Sequence, residues 1–411
     1  MNTLDRSTIP PILAESYLTT RTTGIMKNIL FAVSVLAASS SIAQEAPSGP
    51  AAQAAAAPET KAPEAKWFEK VKVEGTLDAY YGYRFQGAAS DKTNELRVFD
   101  PLNHTFALGY GKLAVSLPAE PAGFRLDLGF GPTADLSTSD LGTPQAEILK
   151  HIQQAYATVK LANLVTIDLG KFVTSAGAEV IEAKDNWLYT RSMLFGYAIP
   201  FAHTGLRVSL PVVADLFTLQ GSVVNGWDTV FSSMTWKTFN LSAVLNLSST
   251  GTTIYFNFYG GPQATADMRL LFDLVVNQNI GDKVALNLNG DFGMEGTSNW
   301  YGAALMGKVM LTDSIRLAAR VEYFGDPQGV RSNNSLGAAS YVTATLGAGF
   351  LFSGLANVEI RPELRHDQAL STTPFVVRKF AETDAEGNPV EVSRGTSASQ
   401  TTIQLAAVVW F

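Results

Sequence analysis

The chain contains no cysteine, which excludes disulfides, thiolate metal sites and cysteine nucleophiles and removes any risk of mispairing in an oxidising compartment. Charge is also scarce: 16% of the 411 residues are charged, against roughly 25% in ordinary soluble domains. What charge there is sums to -7, with no Lys/Arg stripe to track phosphates, so nucleic acid is excluded as a partner. Only four histidines occur, His104, His151, His203 and His366, none at metal-ligand spacing, and there is no Gly-x-Ser-x-Gly elbow. No cofactor and no enzymatic activity are expected. A hydrolase using a lone histidine with Ser and Asp on a barrel wall is the weakest alternative. Gly109 to Ala114 imitates a dinucleotide fingerprint, but it lies in an alternating stretch with no helix after it.

Long apolar runs are missing beyond the first forty residues, whereas a transmembrane helix needs about 20. The nearest approach, 336 to 358, is uncharged but rich in Gly, Thr and aromatics and is broken at Ser353-Gly354. Two strands around a turn explain it better. The first forty residues do hold a secretory leader: Met26-Lys27-Asn28, an apolar core from Ile29 to Ala38, and Ser41-Ile42-Ala43 as cleavage site. Translation is expected to start at Met26, with 1–43 removed after Ala43. Residues 44–66 are an Ala/Pro/Glu tract without apolar periodicity, expected to be a periplasmic linker.

From Val71 onward, period-two alternation dominates. Val71, Val73, Leu77, Ala79, Tyr81, Tyr83 and Phe85 interleave with Lys72, Glu74, Asp78 and Arg84, and the pattern returns around Leu286, Leu317 and Ile360. A solvated sandwich alternates too; connection lengths separate the two. About sixteen strands (range 14–18) can be marked, with tight turns such as 249–251, 281–283 and 312–314 alternating with long polar loops at 86–103, 133–151, 173–203, 325–340 and 368–399. Lipid offers no hydrogen-bond partners, so a sheet crosses it only when closed. Residues 67–411 are therefore expected to form an all-β, closed antiparallel up-and-down transmembrane barrel, wide enough for an aqueous channel. Aromatics near strand ends, including Trp227, Trp300, Tyr301, Tyr323 and Phe324, are expected to form interface girdles.

The last strand ends on Phe411, preceded at alternate positions by Val409, Ala407, Leu405 and Ile403. It resembles the recognition strand that the barrel-assembly machinery reads. The stretch Lys184-Asp185-Asn186-Trp187-Leu188-Tyr189-Thr190-Arg191-Ser192, continuing through Phe195-Gly196-Tyr197, Pro200, His203 and Gly205, resembles the signature of the OmpL-like β-barrel porins. The resemblance covers the chain from about residue 67. It implies an outer-membrane location and a diffusion pore, with lipid, lipopolysaccharide and small polar solutes as partners; porins are often trimers.

Two groups of site residues follow. Loop 173–203 is among the longest and the least charged of the long loops, and its apolar run Met193 to Phe201 is hard to leave in water. It is expected to narrow the lumen, with Glu179, Glu182, Asp185 and Arg191 near the opening, or alternatively to cap the rim. Arg316, Arg320, Arg361 and Arg365 share one strand face. They form either a basic wall across from the loop's acids or ladders neutralised by Glu322, Glu359 and Glu363. The functions that fit are passive diffusion of small hydrophilic solutes, a substrate-selective channel, or a non-conducting barrel serving as anchor or adhesin.

Overall fold

The computed structural model describes residues 66–411 apart from 87–92, 137–143, 163, 233–234, 264–266, 333–338, 372, 374 and 384–388. The expected leader (1–43) and all but the last residue of the linker lie outside the described residues. A single 3-10 turn, Trp67–Lys70, precedes the first strand.

Sixteen strands close into one antiparallel ring. They are β1 (Lys72–Arg84), β2 (Thr105–Leu117), β3 (Ala122–Phe130), β4 (Ile152–Leu161), β5 (Val165–Val173), β6 (Ala202–Val213), β7 (Phe217–Val224), β8 (Thr238–Leu247), β9 (Thr252–Pro262), β10 (Met268–Ile280), β11 (Val284–Glu295), β12 (Ser298–Thr312), β13 (Ile315–Asp326), β14 (Ala339–Phe352), β15 (Asn357–Ala369) and, after an interruption, β18 (Ser399–Trp410). Each pairs with its sequence neighbour, and β18 pairs with β15 on one side and β1 on the other. Closure runs from Thr76↔Trp410 to Arg84↔Thr402, extended by reciprocal backbone bonds between Gly75 and Phe411 (3.2 and 3.1 Å). Every strand of the ring has a ladder partner on both sides and no strand is a free edge, which is the condition for crossing lipid.

The interruption is a hairpin, β16 (Phe375–Thr383) with β17 (Pro389–Ser397), which forms its own two-stranded sheet outside the ring. Connections at one rim are all short, while most at the other are long. The exceptions are β9–β10, with only 263–267 between the strands, and β11–β12, joined across Gly296 with a left-handed φ of +56°. Short turns mark the periplasmic rim of such barrels.

The alternation sorts as the lipid requires. Leu77, Phe106, Leu241, Leu305, Val321, Ile403 and Leu405 are exposed on the outer face, while Asp78, Lys112, Asp127, Asp273, Arg320, Arg361 and Arg365 point inward. Outward aromatics pair near strand ends, as Tyr81 with Phe106 (4.8 Å between ring centres) and Tyr301 with Tyr323 (6.1 Å). Trp300 and Phe324 correct the girdle expectation: both are fully buried, inside the barrel in an apolar cluster with Met193, Leu194 and Phe195, and Trp227 packs against that cluster. Their strand-end positions put them at the right height on the wrong face, because an apolar loop occupies the lumen there.

Candidate functional site: a loop folded into the barrel

That loop, L3, comprises residues 174–201 between β5 and β6. An irregular backbone inside a barrel leaves its N–H and C=O groups without ladder partners, so each must be satisfied by side chains or water. The charged ladder of β13 and β15 does this. Arg320 donates to the Thr190 carbonyl (2.7 Å), Arg361 to the Ala183 carbonyl (2.5 Å), Arg365 to the Arg191 carbonyl (2.6 Å) and Arg316 to the Asn186 carbonyl (3.3 Å). The carboxylates take the amides: Glu363 accepts from Tyr189 and Thr190, and Glu322 from Met193 (2.7 Å).

At the long-loop rim, Trp300 donates to the Ala198 carbonyl (3.0 Å) and Arg331 to that of Tyr197 (2.7 Å). Asp228 Oδ1 accepts from the amides of Phe201 (2.6 Å) and Ala202 (3.0 Å). Burial holds the Asp228 carboxyl above its usual range, at about 6. The first long loop packs on L3: Phe99 meets Phe195 at a tilt and Phe201 edge to face (both 5.4 Å), and Arg97 pairs with Asp100 and Asp367.

The four sequence-predicted arginines thus share a face and contact L3 directly; they do not look at it across an opening. Each is also ion-paired: Arg316 with Glu359 (2.9 Å), Arg320 with Glu179 (2.7 Å), Arg361 with Glu359 (2.6 Å) and Arg365 with Asp367 (2.6 Å). Arg320, Arg361 and Arg365 are each 1% exposed, so these three present no charge to a solute. The geometry is that of ladders, with the loop laid on top. Two glycines of β14 make room, one for the loop and one for an ion pair. A Cβ on Gly347 would meet Leu188 at 2.7 Å, and one on Gly349 would meet Glu359 Oε1 at 2.1 Å and Arg316 Nε at 2.6 Å, so the ion pair from β13 to β15 crosses β14 over a residue without a side chain.

Of the loop's own predicted residues, Glu179 and Arg191 are buried. Arg191 is spent on the carbonyls of Tyr189, Ile181 (2.5 Å) and Val180 (3.4 Å). Glu182 pairs with Lys112 of β2, and Asp185, half exposed, with Lys184 (2.7 Å). The remaining signature residues are structural contacts of the same loop. Asn186 closes a turn onto Val180 (3.0 and 2.7 Å), and Tyr189 donates to Asp78 of β1 (2.7 Å). Tyr197 lies by Phe324 (6.2 Å), and His203 stacks on Tyr259 (5.1 Å). Phe195 and Pro200 are buried, Gly196 is partly buried, and Trp187 lies under Lys308 (5.2 Å). Gly205 pairs in register with Gly170.

L3 and its partners reach round the wall from β8 and β9, where Ser175 meets Ser242 and Tyr259, through β13 and β15 to β1 and β2. The arc from β3 to β7 is different. Inward-pointing Arg125, Tyr156, Thr158, Arg207, Ser209 and Gln220 are all partly accessible. Arg207 pairs with Asp168 (2.8 Å) and lies over the Phe172 ring (4.3 Å); Arg125 pairs with Asp127 (2.8 Å). Sequence inspection missed this arc because its period-two polar positions are mostly uncharged, so nothing set them apart from solvated strands.

Solved structures share the fold. OmpF of Salmonella typhi, in a complex with daunomycin, superposes with a TM-score of 0.53 at 11% identity, covering 83% of this chain and 97% of that one. An anion-selective porin from Comamonas acidovorans gives 0.52 at 10% (83% and 99%), and OprB of Pseudomonas putida 0.52 at 13% (84% and 95%). No curated protein sequence matches. A family model described as "Putative beta-barrel porin-2, OmpL-like" matches residues 70–411, and the chain belongs to that family of outer-membrane β-barrel porins.

Proposed function

We propose that the protein is a diffusion porin whose water path runs off-centre, past β3 to β7, with L3 as the constricting element. The observation that carries this reading is the asymmetry of the lumen wall: inward side chains are buried under L3 on β13 to β15, whereas Tyr156 and Thr158 of β4 and Arg207 and Ser209 of β6 are partly accessible on either side of the buried Asp168 of β5. A path lined by hydroxyls, amides and the paired Arg207 and Asp168 favours small hydrophilic solutes of either sign over strongly charged ones, since each fixed charge has a counter-charge at contact distance. Export through the periplasm by the leader, recognition of the terminal strand by the assembly machinery, and a homotrimer are proposed with it.

The test is conductance of the purified full-length protein in planar bilayers. Steady single-channel steps with weak ion selectivity are expected. Strong preference for one solute would favour a substrate-selective channel, silence would favour an anchor or adhesin, and lipid or peptide hydrolysis by the same preparation would overturn the porin reading.

A further inference from the structure

The tip of L3 descends to the periplasmic rim. Lys184 lines a cavity of about 180 Å³ together with Asp313 and Ser314 of the β12–β13 turn, Lys308 of β12, Arg316 of β13 and Glu359 of β15. The cations there are unequally satisfied. Arg316 is bound to Glu359 and to the Asn186 carbonyl, and Lys184 to Asp185 (2.7 Å). Lys308 has neither an ion pair nor a hydrogen bond among the described residues; its ammonium rests 5.2 Å over the Trp187 ring. A cation–π contact leaves the three N–H donors of an ammonium without acceptors. A half-buried ammonium next to a guanidinium is a place where a negative oxygen is strongly favoured.

We propose that this cavity is a binding site for a small oxyanion, a carboxylate or phosphate, held by Lys308 with Arg316, Lys184 and the Ser314 hydroxyl around it. The cavity holds a few heavy atoms, so the ligand is a small acid or the acidic end of a larger solute. Because Lys308, unlike Lys184 and Arg316, has no carboxylate partner among the described residues, the site offers an unpaired ammonium that the rest of the ladder lacks. On the porin reading, the site stands at the periplasmic rim beneath the L3 tip, on the part of the wall away from the β3–β7 path, and holds acidic solutes at that rim.

The test is the line width of the phosphorus resonance of inorganic phosphate with the detergent-solubilised full-length protein, repeated with acetate as competitor. Broadening by the wild type, reversed by acetate, is expected. Lys308→Met should weaken phosphate binding about tenfold, while Lys308→Arg retains it. Absence of broadening with the wild type, or equal broadening with Lys308→Met, overturns the site. Should Lys308→Met lose its heat-resistant fold, Lys184→Ala, on the loop tip, replaces it; binding undiminished in that variant also overturns the site. Binding is read here without conduction, so a silent bilayer would sink the porin reading and leave the site standing, and the reverse holds equally.

Discussion

A single carboxyl tethers the return of L3 to the wall. Asp228 is buried and accepts two backbone amides, and burial raises its ionisation to about 6 against an ordinary value of 3.8. A folded-state value above the unfolded one means that folding favours the protonated form. The associated stabilisation is complete below about pH 4 and is lost as pH rises through about 6. Burying the ionised carboxyl therefore costs the folded state on the order of 1–3 kcal/mol at neutral pH, a burial cost that outweighs the two amide bonds, which favour the ionised form, and Asp228→Asn, which cannot ionise, should lose the dependence. Hydrogen exchange at the Phe201 and Ala202 amides between pH 4 and 7, corrected for intrinsic rates, measures it. Protection that is flat in the wild type would contradict the assignment.

Legibility at this scale was uneven. Arg316, Arg320, Arg361 and Arg365 could be placed on one face because strand parity is a property of the chain alone. Their partners could not, since Glu179 and the Thr190 carbonyl come from a loop 130 or more residues away. Trp300 and Phe324 show the same limit: position along a strand gives height in the membrane, and only the filling of the lumen decides which face an aromatic prefers.

At the scale of elements, L3 is the informative one. It has no ladder of its own, and its order depends on arginine and glutamate side chains that in turn depend on it. Removing one side of a buried charge network is ordinarily destabilising by several kcal/mol. Removing 186–199 should nonetheless leave the barrel folded, because the vacated lumen fills with water that solvates Arg320, Arg361 and Arg365. Single-channel conductance should rise severalfold. An unchanged conductance would show that the solute path does not pass L3. The length and apolar run of this loop were visible in the sequence, and they posed the choice between constriction and cap. The physical reason it lies inward is that side chains of β13 and β15 satisfy its backbone while Gly347 of β14 leaves room for Leu188, an arrangement visible only after registration of β14 against β13 and β15.

For the whole molecule, closure rests on β18 between β15 and β1, with Phe411 adding the last backbone bonds to Gly75. The Phe411 side chain itself is 62% exposed. Its backbone carries the closing bonds, while its ring lies over Gly75 and is otherwise open to the surroundings. Phe411→Ser should therefore change the heat-resistance of refolded protein by no more than about 1 kcal/mol equivalent, while sharply lowering the amount assembled in the outer membrane of cells. Equal losses in both measurements would make the aromatic ring a structural residue and remove it as a proposed assembly signal.

The sequence by itself determined the class of molecule. Alternation of period two, an even number of strands and loops sorted by length admit a closed transmembrane barrel, since lipid tolerates no unpaired sheet edge. It did not determine what fills that barrel. Whether the charged inner faces look onto water or onto a loop, and which arc of wall stays open, depends on contacts between residues far apart in the chain, as Tyr189 with Asp78 and Arg365 with the carbonyl of Arg191. Periodicity records which way a side chain points. The tertiary structure decides what it finds there, because the lumen is shared by all sixteen strands and belongs to none of them.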